Sequence, residues 1–91
     1  MSLQAVSIEV RGKVQGVWYR ASSKVEADRL GLYGFVKNKE DGSVYLEVFG
    51  ESSHVEQFIC WSLRGPELAQ VTEFKINQID LFSADKFEII R

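Results

Sequence analysis

A chain of 91 residues with 45% hydrophobic side chains closes one core and no more, and it is too apolar to stay disordered. Eleven Lys and Arg against thirteen Asp and Glu leave a formal charge of −2, which excludes the bulk positive field that non-specific nucleic-acid binding needs. No apolar run approaches the ~20 residues of a bilayer crossing, so neither nucleic acid nor membrane is an expected partner. Residues 1–91 are expected to form a single domain. Its flexible lead, residues 1–4, lacks the basic-then-apolar pattern of an export signal. One cysteine, Cys60, closes no intramolecular disulfide, and with the single histidine, His54, it is too little for a zinc cluster or a His-rich metal site. A reducing, cytoplasmic setting is the expectation, and any chemistry must use other residues.

From Ala5 to Gly12 the pattern alternates, with Val6, Ile8 and Val10 to one side and Ser7, Glu9 and Arg11 to the other, as in a half-buried strand. Gly12 to Gly16 breaks it. Tyr19, Ser23, Ala27 and Leu30 then recur at helical spacing, with Lys24, Glu26, Asp28 and Arg29 around them, and Gly31 ends that helix. Gly34 to Lys39 and Ser43 to Gly50 read as two strands joined by the turn signal Glu40-Asp41-Gly42. Ser53-His54-Val55-Glu56 has the form of a capping box. The helix it opens would bury Val55, Phe58, Ile59, Ser62 and Leu63 and stop at Gly65-Pro66. Val71 to Asp80 is a long strand with Phe74 and Ile76 on one face, and Phe87 to Arg91 a short last one. The order predicts an α+β, ferredoxin-like split β-α-β fold, βαββαβ plus a short terminal strand. Its sheet is mostly antiparallel, with two helices on one face.

Chemistry points to the segment between the first strand and the first helix, Gly12-Lys13-Val14-Gln15-Gly16-Val17-Trp18-Tyr19-Arg20. Glycines let the main chain curl and approach a ligand closely. The loop runs into a helix N-terminus, whose unpaired N–H groups and positive dipole end favour an anion. Arg20 adds a planar fork suited to phosphate. Spacing alone leaves two readings equally open: an oxyanion cradle, or a Gly-rich turn with a solvated arginine. The segment has neither the Gly-Lys-Ser/Thr of a P-loop nor a Gly-x-Gly-x-x-Gly.

The same residues, Gly12-x-Val14-Gln15-Gly16-Val17-x-Tyr19-Arg20, are followed by Gly31-Leu32-x-Gly34-x-Val36-x-Asn38 and by Asp41-Gly42-Ser43-Val44. Together they resemble the acylphosphatase family, and the likeness continues through Gly65-Pro66 to Phe87-Glu88-Ile89. Tyr19 stands where that family more often has Phe. The resemblance implies a small, cytosolic enzyme that hydrolyses the carboxyl-phosphate bond of acyl phosphates without metal or cofactor; a monomer is expected. Arg20 would be the phosphate-binding catalytic arginine and Asn38 the residue that positions the attacking water. Backbone amides of Gln15, Gly16, Val17, Trp18, Tyr19 and Arg20 would hold the phosphate.

Such a reaction asks little of the protein. Charge in a loose phosphoryl-transfer transition state spreads over the equatorial oxygens, so positioning and electrostatics carry most of the catalysis. The leaving carboxylate, with an acid pKa of about 4, needs no general acid. The alternative function is a non-catalytic ferredoxin-like anion-binding module. A third, an RNA-binding sheet using Tyr45 and Phe49, conflicts with the negative charge and with a first strand, Val6 to Val10, that offers no aromatic residue. His54 at a helix start, Cys60 off the apolar stripe, and Ser22 and Ser23 without a base are expected to be bystanders.

Overall fold

The computed structural model describes residues 2–91. Its elements run β1 (Leu3–Lys13), α1 (Tyr19–Arg29), β2 (Tyr33–Asn38), β3 (Val44–Glu51), α2 (Ser52–Arg64), β4 (Gln70–Gln78) and β5 (Phe87–Ile90). The strands form one sheet in the order β4-β1-β3-β2-β5. β1 pairs antiparallel with β3 and β4, and β2 antiparallel with β3, while β5 adds parallel to β2. The expected α+β, ferredoxin-like arrangement is therefore present, its sheet mixed through the one parallel pair.

Alternation in the sequence becomes a band of branched side chains on one face. Val6, Ile8 and Val10 of β1 lie opposite Val48, Leu46 and Val44 of β3, and Leu46 also lies opposite Val36 of β2. All seven are buried with Tyr19 and Ala27 of α1 and Val55 and Phe58 of α2, so both helices cover this face. Each such side chain taken fully out of water stabilises the fold by about 1.5–3 kcal/mol. The helical stripe of α1 is the predicted one, with Tyr19, Ser23 and Ala27 buried and Leu30 buried just past the helix end. That end closes through hydrogen bonds from the N–H of Gly31 to the carbonyl of Asp28 and from that of Leu32 to Ala27.

On the opposite face Glu9, Arg11, Lys39 and Asp41 form one charged group. Lys39 Nζ and Arg11 Nη2 donate to the Glu9 carboxylate at 2.8 and 3.2 Å, and Arg11 also reaches Asp41 at 2.9 Å. These contacts tie the β2–β3 turn to β1. Asp41 in turn accepts from the N–H and the hydroxyl of Ser43, at 3.0 and 2.6 Å. Those two bonds, reinforced by Arg11, hold its carboxyl well below the usual carboxylate range.

Three expectations need revision. Of the lead at residues 1–4, Met1 lies outside the described residues, but Leu3 and Gln4 already belong to β1, paired with Glu51 and Gly50. The second helix is not opened by a Ser53–Glu56 box: α2 begins one residue earlier, with Glu51 as its cap. The Glu51 carboxylate accepts from the Ser53 hydroxyl at 2.6 Å and from the Ser53 N–H at 3.4 Å, so the strand runs into the helix without a linker. Ser53 is thus a donor, where the box would make it an acceptor. The strand expected over Val71 to Asp80 stops at Gln78, and its apolar face is only partly covered. Phe74 is 59% exposed, because β4 is an edge strand bonded to β1 alone, whereas Ile76 packs against the core. Among the described residues, no helix is long and apolar enough to cross a membrane.

Candidate active site

The site follows from how β1 ends. The ladder with β4 shifts register between Arg11 and Gly12, and a side chain at Gly12 would drive its Cβ into the Gln70 carbonyl oxygen. Only glycine lets the strand turn away at that point. In the loop beyond it, Val14 and Val17 are buried and act as pegs, while Gly16 and Trp18 between and after them remain exposed. Gly16 and Trp18 both adopt left-handed backbone conformations, at φ 74° and φ 68°. Such turns curl successive N–H groups toward one side, the geometry of an anion nest. Trp18 is the sole non-glycine residue of this kind among the described residues, and it is 75% exposed between buried Val17 and Tyr19, so its own side-chain packing does not impose the conformation.

Trp18 is also the N-cap of α1. It provides no side-chain cap, and the first turn holds no acidic residue. The first intrahelical bond runs from the Ser22 N–H to the Trp18 carbonyl at 2.9 Å. N–H groups of the residues between them have no partner within the helix, and they point out of its positive end. Tyr19 locks this helix start in place. Its ring packs 5.4 Å from that of Trp61, and its hydroxyl donates to the Ser62 carbonyl at 2.6 Å. In α2 that carbonyl would look for the N–H four residues on, but the residue there is Pro66, which has none. Tyr19 supplies the missing donor, and burial pushes its phenol well above the ordinary tyrosine range. The hydroxyl that distinguishes Tyr19 from Phe thus has a structural use.

Arg20, in the first turn, is half-buried, and its Nη1 donates to the Ile90 carbonyl at 3.3 Å. Among the described residues no carboxylate lies within ion-pair distance of it. The remaining N–H donors are free to face a ligand. Asn38 ends β2, half-buried and paired with Val44. Arg20 and Asn38, 18 residues apart in the chain, line one cleft of about 320 Å³ together with Val14, Gly16, Trp18, Tyr19, Ala21, Ile89 and Arg91. That volume lies at the lower end of the range of about 300–1,000 Å³ for small-molecule sites. Among the described residues its lining includes two arginines and no Asp or Glu side chain, a composition that favours anions.

Of the residues expected to form the cradle, Gly16, Trp18, Tyr19 and Arg20 line the cleft. Gln15 and Val17 are not among the lining residues. The Val17 side chain enters the core, and the Gln15 amide turns away to the β2–β3 turn. Arg91 was not anticipated. β5 stops at Ile90, one residue short of the expected strand, and Arg91 follows in phase with buried Phe87 and with Ile89 against the core, a signal present in the sequence. Among the described residues, no group of three His, Cys, Asp or Glu side chains is placed to hold a metal ion.

Comparison with known proteins gives a consistent result. A family model described as acylphosphatase matches residues 6–89. An acylphosphatase of Aeropyrum pernix is 53% identical over 76 residues, covering 82% of this chain and 75% of that one. Another, from an Azoarcus species, is 48% identical over 75 residues, covering 82% and 76%. The crystal structure of acylphosphatase from Bacillus subtilis superposes with a TM-score of 0.93 at 31% identity, covering 99% of this chain and 100% of that one.

Proposed function

Starting from the fact that the chain belongs to the acylphosphatase family, we propose that this cleft hydrolyses the carboxyl-phosphate bond of small acyl phosphates by direct attack of water. The observation that carries the reading is the convergence of Arg20 and Asn38 on one cleft beside the left-handed turns at Gly16 and Trp18. Loop amides and the Arg20 fork take the phosphoryl oxygens, and Asn38 holds water through its neutral amide. Water oxygen bonds to phosphorus as the bond from phosphorus to the acyl oxygen breaks. The carboxylate leaves as an anion, and the water proton passes to a phosphoryl oxygen of the substrate. No protein base is required. The exposed Trp18 and the Ile89 and Arg91 side flank the space left for the acyl group. We further propose that the chain works as a single-domain monomer in the cytoplasm, with no bound metal or cofactor.

Benzoyl phosphate is the direct test. The expected result is steady hydrolysis to benzoate and inorganic phosphate, unchanged by EDTA and competitively inhibited by inorganic phosphate. Turnover abolished by EDTA would refute the metal-free mechanism. Binding of inorganic phosphate without any hydrolysis would leave the non-catalytic anion-binding module as the reading.

A further inference from the structure

Gln15 lies in the loop, yet its side chain does not face the cleft. Its Nε2 donates to the carbonyl oxygens of Lys39 and Ser43, each at 2.9 Å. These two residues sit directly beyond Asn38 and directly before Val44, the pair that ends the β2–β3 ladder. One amide therefore grips both strands of the hairpin one step from Asn38. Both carbonyls also accept within the turn, Ser43 from the Lys39 N–H at 2.9 Å and Lys39 from the Gly42 N–H at 3.2 Å. The amide orientation follows from chemistry, since only the nitrogen end of Gln can face two carbonyl oxygens.

Among the described residues, these are the only side-chain hydrogen bonds joining residues 14–18 to the β2–β3 turn. Without them, the phosphate loop and the water-holding residue would be connected only through the sheet and core. The turn itself is fastened internally by Asp41 to Ser43, and to β1 by Lys39 and Arg11. A link between the curled loop and this fastened turn constrains the distance between them.

We propose that Gln15 is a positioning residue for the hydrolysis: its amide sets the separation between the bound phosphoryl group and the water held by Asn38. This rests on the roles given above to the loop and to Asn38. In-line attack demands a near-contact approach of water to phosphorus, and displacement of the partners by about 1 Å lowers the rate on the order of 10²-fold. The amide acts on approach more than on phosphate affinity, because the helix start is held separately by Tyr19 against α2 and Arg20 by the Ile90 carbonyl.

The test is a kinetic cycle with benzoyl phosphate on the full chain. Gln15→Met keeps the length of the side chain and removes both donors. The expected result is a fall in kcat of about 10- to 100-fold, with KM and the inhibition constant for inorganic phosphate within about twofold of the parent. In an Asn38→Ala background the same change should alter kcat less than about twofold, since the effect it transmits has been removed. An equal fall in both backgrounds overturns the proposal while leaving the Asn38 reading standing. So does a rise in the phosphate inhibition constant in step with the fall in kcat, or an unchanged kcat. Normal turnover by Asn38→Ala alone overturns the water-holding role and this inference with it. If Gln15→Met does not fold, Gln15→Asn, too short to reach both carbonyls, gives the same comparison.

Discussion

Replacing Arg20 by Gln separates function from stability more sharply than any other change in this molecule. In the folded protein the guanidinium makes a single hydrogen bond, to the Ile90 carbonyl at 3.3 Å, and no ion pair among the described residues. Loss of such a partly exposed bond costs about 0.5–1.5 kcal/mol at most. For a domain of this size, at roughly 4–8 °C per kcal/mol, that is a shift in Tm of about 2–12 °C. On the proposed mechanism the same group would meet the spreading charge of the phosphoryl oxygens inside a cleft where, among the described residues, Arg91 is the one other cationic lining residue. An arginine so placed is worth on the order of 10³–10⁵ in rate, or about 4–7 kcal/mol. Steady-state hydrolysis of benzoyl phosphate, paired with calorimetry, should therefore show Arg20→Gln near-inactive and nearly as stable as the parent. Arg20→Lys restores the charge without the two-pronged fork, so it should recover phosphate inhibition in part and turnover poorly. If Arg20→Gln keeps kcat/KM within tenfold of the parent, the electrostatic argument fails. A large loss of Tm would mean that the arginine is structural.

Asn38→Ala should lower kcat by a factor of about 10 or more while leaving KM near its parent value, which single-turnover measurements would resolve from binding. Tyr19→Phe removes the buried bond to the Ser62 carbonyl and leaves that oxygen without a donor. Chemical denaturation should show a loss of about 1–3 kcal/mol, with kcat little changed. At Trp18, φ 68° is a poor fit for any side chain and worst for a branched one, so Trp18→Ile should cost more than 1 kcal/mol where Trp18→Gly stays within about 1. Asp41 sets an acid limit. Its folded pKa lies below the unfolded value of about 3.9, so its stabilisation is complete above that pH and is lost as pH falls from there toward the folded pKa. Urea midpoints measured from pH 6 to pH 2 should fall in that window, and less steeply in Asp41→Asn.

Legibility from sequence followed the range of the interactions involved. The strand of Val6, Ile8 and Val10 and the stripe of Tyr19, Ser23 and Ala27 were readable because periodicity is local, and the partners in β3 and α2 bury the same residues. The cap of α2 was misplaced for a related reason. Ser53 and Glu56 satisfy the local rule, but Glu51, delivered by the end of β3, reaches the Ser53 N–H and hydroxyl first. Phe74 follows the alternation of a covered strand, yet its exposure depends on β4 being at the sheet edge, and that order is not written in β4.

The candidate site divides in the same way. Sequence by itself nominated the candidates for phosphate chemistry: the glycine-punctuated loop and Arg20 through residue type and short-range backbone conformation, and Asn38 through the family resemblance alone. Tertiary structure alone decided that Arg20 and Asn38 share one cleft, that Arg91 enters it, and that the Gln15 amide spans the gap to the β2–β3 turn. Each of these is a contact between residues far apart along the chain, and only the packed sheet and helices bring their side chains within reach.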